Sequence, residues 1–134
     1  MGKEVRQIGN VTSPEEFFGF RLGSDRKMAR WDDIVRYFYK IESESDRVKV
    51  INMGRTTEGN DFLLAIISSP DNLGRLDYYK DINAKISDPR GLEPETIKDL
   101  VDEGKVVVCQ TMSLHASEIG GTQMAPELAY DLLS

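Results

Sequence analysis

The chain predicts an α/β domain, a mixed parallel and antiparallel sheet flanked by helices. Three observations carry that reading. An apolar stripe at helical spacing runs through Trp31, Ile34, Val35, Phe38 and Ile41. Two apolar runs follow at residues 48–53 and 62–67, separated by turn formers. A third run, Lys105-Val106-Val107-Val108-Cys109-Gln110-Thr111-Met112, comes after two further helical segments.

Each element has its own local signal. Residues 1–13 are polar and read as an N-terminal arm, with the domain proper spanning 14–134. Ser13 can cap a helix, Pro14 suits its first position, and Glu15 and Glu16 suit the positive end of the helix dipole. Phe17, Phe18 and Phe20 then need burial. Over 29–44 the apolar stripe faces a core while Asp32, Asp33, Arg36 and Lys40 face water. Gly54-Arg55-Thr56-Thr57-Glu58-Gly59-Asn60-Asp61 joins the next two runs as an antiparallel hairpin, with Arg55 and Glu58 placed to pair across the turn. The run 62–67 is apolar nearly throughout, as in a strand covered on both faces.

Leu76, Tyr79, Ile82 and Ile86 give helical periodicity to 73–87, and Asp88-Pro89-Arg90-Gly91 ends it. A short helix is expected over 92–103, with Pro94 near its start and Gly104 beyond its end. The run 105–112 reads as a central strand. A C-terminal helix follows, carrying Met124, Leu128 and Leu132, with Pro126 marking its first full turn or a kink.

Composition limits the partners. A chain of 134 residues supports one modest core. Its net charge of −6 disfavours nucleic acid, because phosphate binding needs clustered cations and acids interrupt those at 21–30. No apolar stretch approaches the ~20 residues of a membrane span. The first residues lack the apolar core of a signal peptide. Localisation stays open: secreted or periplasmic if a leader is removed, cytoplasmic otherwise. Cys109, the only cysteine, alternates with apolar neighbours and reads as a buried structural thiol.

Candidate chemistry gathers just past the third run. His115 is the only histidine, and Glu118 stands three residues on, between a predicted strand end and a helix start. Open α/β sheets place ligands there, and neutral imidazole and carboxylate both suit zinc. Gly120-Gly121 allows close backbone approach, and Thr111, Ser113, Ser117, Thr122 and Gln123 offer polar support. Taken alone, such a pair is more often a surface ion pair or a satisfied core histidine.

Leu114-His115-Ala116-Ser117-Glu118 after a Val-rich strand resembles the H-x-x-E zinc motif of the carboxypeptidase A-like metallocarboxypeptidases. Trp31-Asp32-Asp33-Ile34-Val35 resembles their first helix, and Gly54 to Asn60 their first hairpin. The resemblance covers 28–134, and Thr12 to Arg30 together with the long helical stretch 73–103 resemble large bacterial members. It implies an N-terminal portion of a zinc carboxypeptidase-like fold, with His115 and Glu118 as two of three protein ligands to Zn2+ and a water completing the site. It also implies peptide or protein C-termini as substrate. A second histidine, a glutamate base and an arginine for the substrate carboxylate would lie beyond this sequence, so the catalytic base and substrate-binding residues stay unknown. Ser117 stands where pancreatic members carry an arginine, so the resemblance does not extend to the substrate-subsite contact made there. The expectation is a zinc-dependent metallocarboxypeptidase present as a fragment inactive alone. The alternatives are a zinc deacylase or amidohydrolase of the aspartoacylase type, or a non-catalytic binding domain of the same fold. An unpaired sheet edge also predicts self-association.

Overall fold

A computed structural model describes residues 11–134; most of the polar arm, residues 1–10, lies outside the described residues. Among the described residues the order is α1 (Pro14–Phe18), α2 (Trp31–Glu44), β1 (Val48–Arg55), β2 (Asp61–Ile67), α3 (Pro70–Gly74), α4 (Leu76–Ser87), α5 (Pro94–Glu103) and α6 (Ile119–Leu133). The α/β class holds. The sheet among these residues is the antiparallel pair β1–β2 alone.

Local chemistry sets the boundaries. Ser13 caps α1 by accepting from the Glu16 amide at 3.2 Å, with Pro14 in the first turn, and Ser69 does the same for α3 through Asn72. Gly19, with φ of 73°, ends α1 in the left-handed conformation that other residues adopt only at a cost. In the hairpin, Val48 stands opposite Ile67 and Val50 opposite Ala65, and the register shifts between Asn52 and Arg55. The loop closes through Thr56 N–H to the Asn60 carbonyl at 2.8 Å and Gly59 N–H to the Thr56 carbonyl at 2.9 Å. Arg55 pairs with Asp61 at 2.8 Å and not with Glu58, because Asp61 stands directly opposite it in the ladder.

The core lies where α2 meets α1, β1 and α6. Tyr37, Ile41, Val48, Ala129 and Leu133 form one buried cluster, with Phe17, Phe18, Phe38, Val50 and Ile67 packed against it. Leu22, Ala29 and Ile34 form a second, joined to Phe18, Phe20, Trp31 and Phe38. The three early phenylalanines therefore find their burial on α2. Tyr37, missing from the predicted stripe, is fully buried, and its hydroxyl donates to the Thr12 carbonyl at 3.0 Å. Burying each large apolar side chain here contributes roughly 1.5–3 kcal/mol before entropy costs. Trp31 Nε1 donates to the Asp61 carbonyl, and the Glu42 carboxylate accepts from Val50 N–H at 2.7 Å. Those two contacts fix α2 across the hairpin.

Three expectations are corrected. The run 105–112 forms no strand: among the described residues no neighbouring strand supplies the backbone partners a ladder needs. Cys109 is consequently exposed. Residues 62–67 are not covered on both faces, since Phe62 and Leu64 are exposed on the side that no helix covers. On α6 the inward face is Pro126, Ala129 and Leu133, while Met124 and Leu132 point outward. Small Ala129 permits close approach to Tyr37, and Leu133 reaches the same cluster.

Candidate metal centre

The segment between α5 and α6 is built around a turn at His115–Glu118. Glu118 N–H donates to the His115 carbonyl at 3.0 Å, which brings positions three apart to the same side. His115 Nδ1 then lies 2.9 Å from Glu118 Oε2, and the same carboxylate oxygen accepts from His115 N–H at 3.3 Å. Both side chains are well exposed, at 66% and 60%. They are neither sealed in hydrocarbon nor turned apart.

Ser113 organises that turn. Its Oγ is 2.7 Å from the Glu118 carbonyl and 3.0 Å from the His115 carbonyl, spanning the turn's two ends. The backbone at Ser113 is left-handed, with φ of 82°, a conformation that costs a serine of order 1 kcal/mol or more. Thr122 Oγ1 donates to the Met112 carbonyl at 3.3 Å, tying the entry of the turn to the first turns of α6. Gly121 makes the approach possible: a Cβ there would sit 2.9 Å from the Ser113 nitrogen, closer than real contacts allow. Gly120 faces open space. Among the polar residues proposed as support, Ser113 and Thr122 act on the turn. Gln123 instead clamps Ala29, accepting its N–H at 2.8 Å and donating to its carbonyl at 3.0 Å.

The donor chemistry suits zinc, which takes imidazole nitrogen and carboxylate oxygen at about 2.0–2.2 Å each. Two atoms 2.9 Å apart need only a small separation to share such an ion. The set is nevertheless half complete: no group of three or more His, Cys, Asp or Glu is arranged to hold a metal among the described residues. A groove of about 460 Å³ runs beside the turn, between residues 23–27 and the start of α6, with Ile119 and Gln123 in its wall. The pair itself projects outside it. No periodicity or spacing marked Ser113 as the organiser, since its role depends on a left-handed backbone that a serine does not advertise.

No curated protein and no solved structure matches the chain. The profile of the zinc carboxypeptidase family matches residues 34–134, which takes in most of α2, the hairpin, the helical pair α4–α5 and the His115 turn. The chain belongs to the zinc carboxypeptidase family.

Proposed function

We propose that His115 and Glu118 supply two ligands of a catalytic zinc in a carboxypeptidase that hydrolyses C-terminal peptide bonds, and that the 134-residue chain alone does not turn over substrate. One observation carries this reading: in a member of the zinc carboxypeptidase family, the Nδ1 of the only histidine meets a carboxylate oxygen at 2.9 Å on an exposed turn. When bound, zinc acidifies a water and polarises a carbonyl, so hydroxide attack becomes possible near neutral pH.

The chain's own residues do the positioning. His115 offers an imidazole nitrogen, and the Glu118 carboxylate adds an oxygen ligand beside it. Ser113 holds the carbonyls at both ends of the turn, so neither ligand must be ordered when the ion arrives. Their exposure leaves the remaining coordination positions open to water and to a peptide carbonyl. A third protein ligand, a general base and a clamp for the substrate carboxylate are outside what this reading assigns to the described residues. Two donors without that machinery predict metal uptake without catalysis.

The test is calorimetric zinc titration of the chain, paired with assays on one peptide carrying a free or an amidated C-terminus. One weak zinc site is expected, at least tenfold weaker in His115→Ala and in Glu118→Ala, with neither peptide cleaved. Unaltered uptake in both variants would remove the metal assignment. Turnover of the free peptide would overturn the claim of inactivity.

A further inference from the structure

Granted the metal reading of the His115–Glu118 turn, we propose that Gln123 is a positioning residue for that turn. It acts through its clamp on Ala29 and touches neither ligand. Ala29 lies outside residues 34–134, so a segment that the family profile leaves out helps to set the site.

The start of α6 is poorly equipped to hold itself. Glu118 stands at its cap position without a side-chain cap hydrogen bond. Gly120 and Gly121 occupy its first turn, and glycine is the poorest helix former after proline. Pro126 has no N–H, so it cannot donate the bond that would join it back to the Thr122 carbonyl. The buried anchors of the helix, Pro126, Ala129 and Leu133, all come later. A helix end built this way frays unless tertiary contacts fix it.

Three successive residues supply those contacts. Gly121 lies against the Ser113 backbone, Thr122 donates to the Met112 carbonyl, and Gln123 grips Ala29. At about 100° per residue they fan round one turn of helix, so they reach different neighbours. Met112 and Ser113 belong to the segment that has to be positioned, and their contacts only make it move with α6. Ala29 is part of a fixed body. It is 5% exposed, packs with Leu22 and Ile34, and stands two residues before α2. Its N–H and carbonyl engage both ends of the Gln123 amide, at 2.8 and 3.0 Å, which fixes that side chain at two points. Beside the clamp, the groove of about 460 Å³ keeps residues 23–27 apart from Ile119 and Gly120, so packing there does not replace it.

His115 is the only histidine, so its ring signals in a nitrogen-correlated NMR spectrum read the turn alone. The test records them for the zinc-free chain at one neutral pH, beside calorimetric zinc titration. Gln123→Ala removes both bonds, and Gln123→Met removes them while keeping most of the volume. Both should move the ring signals toward those of the urea-unfolded chain and weaken zinc uptake about tenfold, the usual cost of loosening what orients a ligand. Arg47→Ala, which frees the Leu132 and Leu133 carbonyls at the other end of α6, destabilises the helix without reaching the turn. It should leave ring signals and uptake unchanged. Unaltered signals in both Gln123 variants, or an equal displacement in Arg47→Ala, would overturn the proposal. Unfolding of both Gln123 variants, seen by far-ultraviolet dichroism, would make Gln123 a residue of the fold alone and overturn it too. If the parent chain takes up no zinc, the metal reading fails by itself, and the ring signals still decide whether Gln123 sets the turn.

Discussion

Gly121 carries the sharpest consequence at the scale of single residues. Alanine normally strengthens a helix over glycine by about 0.5–1 kcal/mol. At Gly121 the added methyl meets the Ser113 nitrogen at 2.9 Å and the Met112 carbonyl carbon at 3.4 Å, both backbone, which cannot swing aside as a flexible side chain would. The turn must shift, and Ser113 loses its hold on the two carbonyls. Gly121→Ala should therefore weaken zinc uptake by about tenfold or more, the usual cost of disturbing what orients a ligand. Gly120→Ala, in open space, should leave uptake unchanged and be neutral or stabilising. Titration of the two variants side by side is the check; equal affinity would show that the turn does not depend on α6.

Among elements, α6 is tied to the α2–β1 connection by the side chain of Arg47. Arg47, between α2 and β1, donates to the Leu133 carbonyl at 3.2 Å and the Leu132 carbonyl at 3.1 Å. Both carbonyls lie in the last described turn of α6, where the helix dipole is negative and a cation is favoured. Arg47→Ala should cost about 1–2 kcal/mol, read as a lowered urea midpoint with unchanged slope. Arg47→Lys should recover only part of it, because an ammonium cannot fork across two carbonyls. Elements differ in how far sequence reveals them. The stripe on α2 and the turn formers before β2 record interactions within a few residues, so both were legible. The stripe omitted Tyr37, whose phenol counts as polar until the Thr12 carbonyl accepts its hydrogen bond. The inward face of α6 depends on how closely Ala129 lets α6 approach Tyr37, a quantity no single helix contains. Residues 105–112 reveal a need for a strand partner without revealing whether the described chain supplies one. The His115–Glu118 pair was legible from spacing, whereas the left-handed Ser113 that shapes it was not.

At the scale of the whole molecule, two glutamates pull stability in opposite directions as pH changes. Burial pushes the Glu44 carboxyl up, but its hydrogen bond from Lys40 and two from Thr12 outweigh that and leave it below its ordinary 4.5. A carboxyl depressed on folding contributes stability that is present above its unfolded value and lost as pH falls through the folded one. Glu127 is the reverse case. Burial first, then the neighbouring Asp131, pushes it above the ordinary value, with Glu15 adding to the rise and Arg21 opposing it. Its ionisation therefore costs stability as pH rises from 4.5 through the folded value, and the full cost remains at neutrality. At pH 7, Glu44→Gln should lower the melting temperature and Glu127→Gln should raise it. Near pH 3.5 the carboxyl of Glu127 is mostly protonated in both states, so the gain from Glu127→Gln fades, and the penalty of Glu44→Gln shrinks because below 4.5 the unfolded carboxyl takes up a proton before the folded one. Both effects are small, because each carboxyl is partly solvated and screened. Opposite signs at neutrality that converge in acid are the signature, measured by thermal melts of the three proteins across pH 3.5–7. Parallel shifts of both variants at every pH would mean that the side chains act through packing and not through charge.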